Sequence, residues 1–211
     1  MTGRISFLLN FTVFATLFLL SCQGPPQTVT ADDDLARFVN PFVGTGAHGH
    51  TYPGAALPFG MVQLSPDTRL DGWDGCSGYH FTDTIIYGFS HTHLSGTGVS
   101  DYGDVLLMPF TGDPLFHNGA DGQAGYSSAF DKSSESASPG YYQVRLKKYD
   151  IEAELTATPR TGLHRYTFPA GAEAGLLIDL VHRDEVLDAA LWRRGAPIRH
   201  GPTQSRYPPR R

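Results

Sequence analysis

An antiparallel β-sandwich is the fold class this sequence predicts, and three observations predict it. Short apolar segments recur at roughly ten-residue intervals in the second half of the chain, with turn residues between them. Two of these segments alternate. Tyr142, Val144 and Leu146 face Gln143, Arg145 and Lys147, and Ile151, Ala153 and Leu155 face Glu152, Glu154 and Thr156. That is the period of two that sets one face of a strand on a core and the other in water. Finally, no stretch of ordinary helix length has a clean helical period, and 24 glycines and 15 prolines in 211 residues break helices throughout.

The chain opens with an apolar run from Ile5 to Leu20 behind the single cation Arg4. It is short of the ~20 residues a bilayer span needs and has the shape of a secretion signal. Leu19-Leu20-Ser21-Cys22 closes it and resembles a bacterial lipobox. In that reading residues 1–22 are a lipoprotein signal and Cys22 carries the lipid that anchors the protein to a membrane, in the periplasm or at the cell surface. An ordinary cleaved signal with an incidental cysteine is the plainer alternative. Cys76 is the one other cysteine, so lipidation of Cys22 leaves no intramolecular disulfide. Residues 23–35 are polar, with a proline pair and an Asp triplet, and read as a flexible linker. Adjacent Asp side chains do not converge on one calcium ion without a loop to fold them, so the triplet reads as solvated.

Residues 36–190 carry the sandwich. Strands are expected at Met61–Leu64, Thr84–Ser90 and Asp104–Met108, set among Gly- and Pro-rich loops. Residues 112–140 read as a long polar surface loop with a short strand near Tyr126. Strands follow at Tyr141–Tyr149, Ile151–Thr158 and Leu163–Phe168, with Tyr149-Asp150 as a tight connection. Gly175–Val181, the unbroken apolar run GLLIDLV, reads as a strand buried on both faces. Residues 191–211 hold six Arg, no acid and no expected strand. They read as an aberrant or disordered tail, with a basic arm for an anionic surface as the other reading. Without this tail the body holds 10 basic against 21 acidic side chains, which argues against a nucleic-acid partner.

Candidate chemistry concentrates between Val39 and Pro109, where Arg69 is the only fixed cation. Glycine lets backbone approach a ligand closely, aromatic rings give rigid apolar contact, and His, Asp and Ser supply hydrogen bonds. The mixture suits a neutral, polar, ring-shaped ligand. Trp73 is the natural platform for the C–H face of a sugar, with Asp74, His91, His93 and Asp101 as partners for its hydroxyls; packing between loops is the plain alternative for Trp73. His91-Thr92-His93 places two imidazoles on one face of an extended segment, which could hold zinc if a third ligand arrived, but no third ligand is identifiable and no metal site is assigned. Cys76 and His80 could form a nucleophile–base pair, though local spacing seldom identifies one. GTGAHGH and SGTG match no phosphate loop. Glycoside hydrolysis generally uses two carboxylates, and several Asp with no Glu in this stretch leave no pair to choose.

The motifs VNPFVGTG from Val39, HGHTYPGA from His48, LPFGMVQLSPDTR from Leu57, GWDGCSGYH from Gly72 and IYGFSHTHLSGTGVSDYGD from Ile86 resemble the amino-terminal domain of glycoside hydrolase family 92, the bacterial exo-acting α-mannosidases. The likeness continues through LVHRDEVLD at Leu180 and spans about residues 36 to 188. It implies a supersandwich-like β-domain that joins a helical (α/α)6 barrel in the complete enzyme, and a calcium ion that binds mannose there. It also implies hydrolysis with inversion of the anomeric centre. The acid, the base and most calcium ligands belong to the barrel, which this sequence does not reach. The resemblance therefore assigns no catalytic residue here and no complete calcium site. It makes Trp73 a wall of the subsite for the departing sugar, with Asp74, His91, His93 and Asp101 as further pocket residues. The expected role is the pocket-contributing domain of an α-1,2-type mannosidase acting on mannose-containing glycans, a fragment inactive alone. An autonomous carbohydrate-binding surface lipoprotein is the alternative.

Overall fold

The computed structural model describes residues 34–183, together with the backbone of 192–193 and 196–197. Cys22 and the signal segment lie outside the described residues, as do residues 23–33 of the linker and most of the tail. All that follows concerns the unit Ala36–Arg211.

The strands in chain order are β1 (Ala55–Ala56), β2 (Gln63–Asp67), β3 (Ile85–Ile86), β4 (Gly88–Ser90), β5 (Leu106–Thr111), β6 (Ser128–Ala129), β7 (Ser136–Ser138), β8 (Tyr141–Leu146), β9 (Ile151–Ala157), β10 (Gly162–Thr167), β11 (Ala174–Asp179), β12 (Trp192–Arg193) and β13 (Ala196–Pro197). A five-stranded sheet runs β1-β2-β4-β5-β11 and a four-stranded sheet runs β10-β9-β8-β7. Every strand pairing is antiparallel. Among the described residues the only helical segments are short 3-10 turns. The sheets share one core, with Leu64, Phe89, Leu106, Met108 and Leu177 from the first against Tyr142, Val144, Leu146, Ile151, Ala153 and Leu155 from the second. This is the expected sandwich.

The alternating strands lie where their pattern puts them. In β8 the residues Tyr142, Val144 and Leu146 are buried, and in β9 so are Ile151, Ala153 and Leu155. The register Leu146↔Ile151 makes their connection four residues, Lys147–Asp150, with Asp150 at φ 55.

Four segments differ from the sequence expectation. Thr84–Ser90 is two strands, because Ile85–Ile86 pairs with β6 while Gly88–Ser90 joins the large sheet. The passage 112–140 is tied into the fold: Tyr126 and Phe130 are core residues, and β6 and β7 lie within it. Its polar composition hid these few anchors. The GLLIDLV strand is not buried on both faces; β11 is a sheet edge with Leu177 inward and Leu176 and Ile178 about half exposed. The tail, expected to hold no strand, contains the antiparallel pair of β12 and β13.

Candidate functional site

The WDG motif is built as a raised turn. Gly72 enters it at φ 81, a conformation that disfavours a side chain, and Trp73–Gly75 form one 3-10 turn. Beneath it Gly75 lies so close to the Arg69 stem that a Cβ would stand 2.6 Å from Cγ. Arg69 itself grips Asp83 through Nη2 to Oδ1 at 2.5 Å and Nε to Oδ2 at 3.2 Å. The one fixed cation of the motif stretch is therefore a strut under the turn.

Trp73 is 59% exposed. The His50 ring meets it edge-on at 4.3 Å between centroids, and the His48 ring lies tilted at 5.0 Å. His48 Nδ1 and Asp74 Oδ1 are hydrogen-bonded at 2.6 Å, with His50 Nε2 3.6 Å from the same oxygen. The bond from His48 holds the Asp74 carboxyl below the usual carboxylate range. On the other edge of the indole, a Cβ at Gly98 would fall 2.7 Å from Nε1. Arg183 Nη2 donates to Gly75 O at 3.2 Å and to Ser100 Oγ. Three segments, 48–50, 73–75 and 98–100, thus converge on an indole and a carboxylate open to solvent. Such a platform can stack on a ring while Asp74 and His48 exchange hydrogen bonds with hydroxyls.

The other expected site residues divide. Asp101 is exposed and its Oδ1 accepts from the Tyr102 N–H at 2.9 Å, one residue past the Ser100 contact. His93 is buried: Nδ1 donates to Gln63 O at 2.8 Å, and Nε2 lies 3.1 Å from Ser90 Oγ and 3.5 Å from Asp67 Oδ1. His91 turns elsewhere. Its Nδ1 donates to Val105 O at 2.7 Å and its Nε2 meets His164 Nε2 at 3.2 Å. The two histidines of S-H-T-H therefore do not share a face, because residue 91 sits in a bend where the strand pattern has ended. Cys76 is a buried free thiol, and both His80 nitrogens are engaged, with Thr82 Oγ1 at 2.9 Å and Ala47 O at 3.2 Å. No nucleophile–base pair forms there. Sequence reasoning missed His48, His50, Asp67, His164 and Arg183 as contributors; HGHT and LVHRD were legible as motifs, but their convergence is long-range.

Among the described residues, no three His, Cys, Asp or Glu side chains are placed to hold a metal ion. Calcium wants six or more oxygens, whereas Asp74 is bonded to His48 and Asp104 Oδ2 accepts from Thr92 at 2.6 Å. The described residues do not fit a resident calcium ion.

The His91–His164 contact sets a pH dependence. Burial, and then the charge of His91, pushes His164 down to about 4. An unfolded histidine titrates near 6.5, so between those values the unfolded chain holds the extra proton and stability rises with pH. The contribution is whole above about pH 6.5 and gone near pH 4. At ~1.4 kcal/mol per unit, discounted for the partial exposure of the ring, it is about 2 kcal/mol. The thermal midpoint should fall on acidification from about pH 7 to about pH 4.5, and His164→Gln should flatten the slope. Parallel slopes in the two proteins would contradict this origin.

Residues 38–199 match the family model described as the glycosyl hydrolase family 92 N-terminal domain. The chain is 44% identical to a family GH92 alpha-mannosidase of Bacteroides thetaiotaomicron solved in complex with mannoimidazole; the TM-score is 0.66, over 70% of this chain and 20% of that one. A family GH92 inverting mannosidase of Bacteroides thetaiotaomicron VPI-5482 is 28% identical with a TM-score of 0.58, over 74% of this chain and 20% of that one. An uncharacterized secreted glycosidase of Arthroderma benhamiae is 31% identical over 163 residues, 75% of this chain and 21% of the relative. The chain spans about a fifth of the length of these relatives. On its motifs, its sandwich and this match, the chain belongs to glycosyl hydrolase family 92, carrying the N-terminal domain of that family.

Proposed function

We propose that this chain supplies the substrate-pocket wall of a calcium-dependent, inverting exo-α-mannosidase that acts on mannose-containing glycans, and that these 211 residues do not catalyse by themselves. The observation that carries the reading is the open Trp73 platform with Asp74 and His48 beside it. Trp73 packs against the departing sugar, Asp74 and His48 bind its hydroxyls, and Asp101 lies on the adjoining loop. His93 serves this wall from beneath through Asp67, without reaching the ligand. Carboxylate chemistry and calcium belong to the helical barrel that the resemblance implies. Secretion agrees with the Arthroderma benhamiae relative, a secreted glycosidase, and lipidation at Cys22 would hold the enzyme at a membrane surface.

The purified chain, supplied with calcium, should release no mannose from an aryl α-mannoside; appreciable turnover would overturn this division of roles. Autonomous sugar binding is the second reading, favoured by the exposure of Trp73. With Trp192→Phe leaving Trp73 as the sole indole, saturable quenching at submillimolar mannose would support that module. We expect no response below millimolar sugar, because a lone wall buries little of the ligand.

A further inference from the structure

We propose that His91 and His164 form a two-histidine site for a borderline divalent transition metal, such as zinc, nickel or copper, which clips the two sheets together. His91 follows β4 of the five-stranded sheet, and His164 lies in β10 at the edge of the four-stranded sheet. They are 73 residues apart in sequence, yet their Nε2 atoms stand 3.2 Å from one another.

The separation and tilt fit shared coordination. A metal ~2.05 Å from each Nε2 would subtend about 103° at that spacing, close to a tetrahedral angle. With each ring centre ~1.15 Å behind its nitrogen, such a site puts the centroids roughly 5.0 Å apart, against roughly 5.5 Å for a collinear hydrogen bond. The observed value is 4.9 Å, with the ring planes at 45°. The rings are therefore bent off the N···N line and do not meet collinearly across it.

The second nitrogens are arranged as outer partners of ligating imidazoles usually are. His91 Nδ1–H donates to the Val105 carbonyl, which fixes Nε2 as the free nitrogen. With His91 Nε2 accepting from His164 Nε2–H, Tyr166 Oη must donate to His164 Nδ1 at 2.8 Å. Metal entry moves the His164 proton from Nε2 to Nδ1, and the Tyr166 hydroxyl turns from donor to acceptor. No proton is released and both rings stay neutral. Both side chains are partly exposed, so water can complete the shell. Two imidazoles and no carboxylate exclude calcium, a hard ion that takes oxygen ligands, so this site is separate from any calcium the proposed mannosidase uses.

The test is the thermal midpoint of the full chain with zinc or nickel, against calcium and against a chelator. At roughly ten times the dissociation constant, zinc or nickel should raise the midpoint by about 3–6 °C, and calcium should not. His91→Gln and His164→Gln should each abolish the rise, and His48→Gln, at the surface platform, should retain it. In case neither pocket variant folds, the electron paramagnetic resonance spectrum of one equivalent of copper bound to the unmodified chain should show two equivalent nitrogens, and His48→Gln should leave it unchanged. No stabilisation of the unmodified chain, a shift that persists in both pocket variants, or a copper spectrum that changes with His48→Gln would each overturn the proposal.

Discussion

Asp67→Ala is expected to cost ~3–5 kcal/mol of folding stability, a large share of the 5–15 kcal/mol that holds a domain of this size together. The Asp67 side chain is fully buried. Its Oδ2 accepts from the Ser90 N–H at 3.2 Å and from Ser90 Oγ at 2.5 Å, while Oδ1 stands 3.5 Å from both His93 Nε2 and His182 Nε2. Burial alone would raise this carboxyl, but the charges of His93 and His182 outweigh it and hold the group well below the usual carboxylate range. The fold has made room for that charge: at Gly78, φ +85, a Cβ would come within 2.6 Å of Oδ1. Removing the carboxylate strands two buried histidines and a buried serine. Because the folded pKa is depressed, the stabilisation is present above about pH 4 and fades as the pH falls below that. Urea unfolding of Asp67→Asn, which keeps shape and removes charge, should therefore differ most from the unmodified chain near neutral pH and converge with it in acid. A uniform difference at every pH would mean that packing, not charge, is what Asp67 supplies.

The sandwich was legible because its central strands obey a local rule. Alternation in β8 and β9 needs only neighbours in sequence to be read, and burial followed it at every apolar position; Glu154, on the opposite face, is buried as well, under its bonds to Tyr141 and Arg165. Local rules failed where the partner was distant. Nothing near residue 164 announces that a histidine rather than Leu163 turns inward, because that choice depends on His91 across the sandwich. The unbroken apolar run of β11 marks a strand but not its position; at a sheet edge the same residues leave Leu176 and Ile178 in the open. Trp73 and Asp74 stood out as candidates from their chemistry, an indole beside a carboxylate in a glycine-rich turn, and the turn leaves Trp73 exposed instead of packed between loops. His93 has the same chemistry and a different fate: a β-bridge to Tyr102 and the buried Asp67 draw it beneath the surface that Trp73 occupies.

Glu135→Ala should destabilise the chain by a comparable ~3–5 kcal/mol, although the residue lies in a passage whose composition reads as loop. The Glu135 side chain is only 1% exposed. Its Oε1 accepts from Tyr142 Oη at 2.7 Å and Tyr79 Oη at 2.9 Å, and its Oε2 receives Lys132 Nζ at 3.0 Å. Tyr142 belongs to β8, whereas Tyr79 follows the WDG turn, so one carboxylate ties the four-stranded sheet to the segment that carries Trp73. Burial, and then the Glu135 charge, pushes both phenols up, so they remain donors at every pH at which the protein is used. Without the carboxylate, two buried hydroxyls lose their acceptor and Lys132 keeps its charge over the faces of Tyr79, Phe81 and Phe130. Leaving a buried hydroxyl unpaired costs ~1–3 kcal/mol, so the two phenols alone account for most of the expected loss. Glu135→Gln retains an acceptor and should lose less than half as much in urea unfolding. A loss under about 1 kcal/mol for Glu135→Ala would mean that water replaces the carboxylate, and that the platform does not depend on this tie.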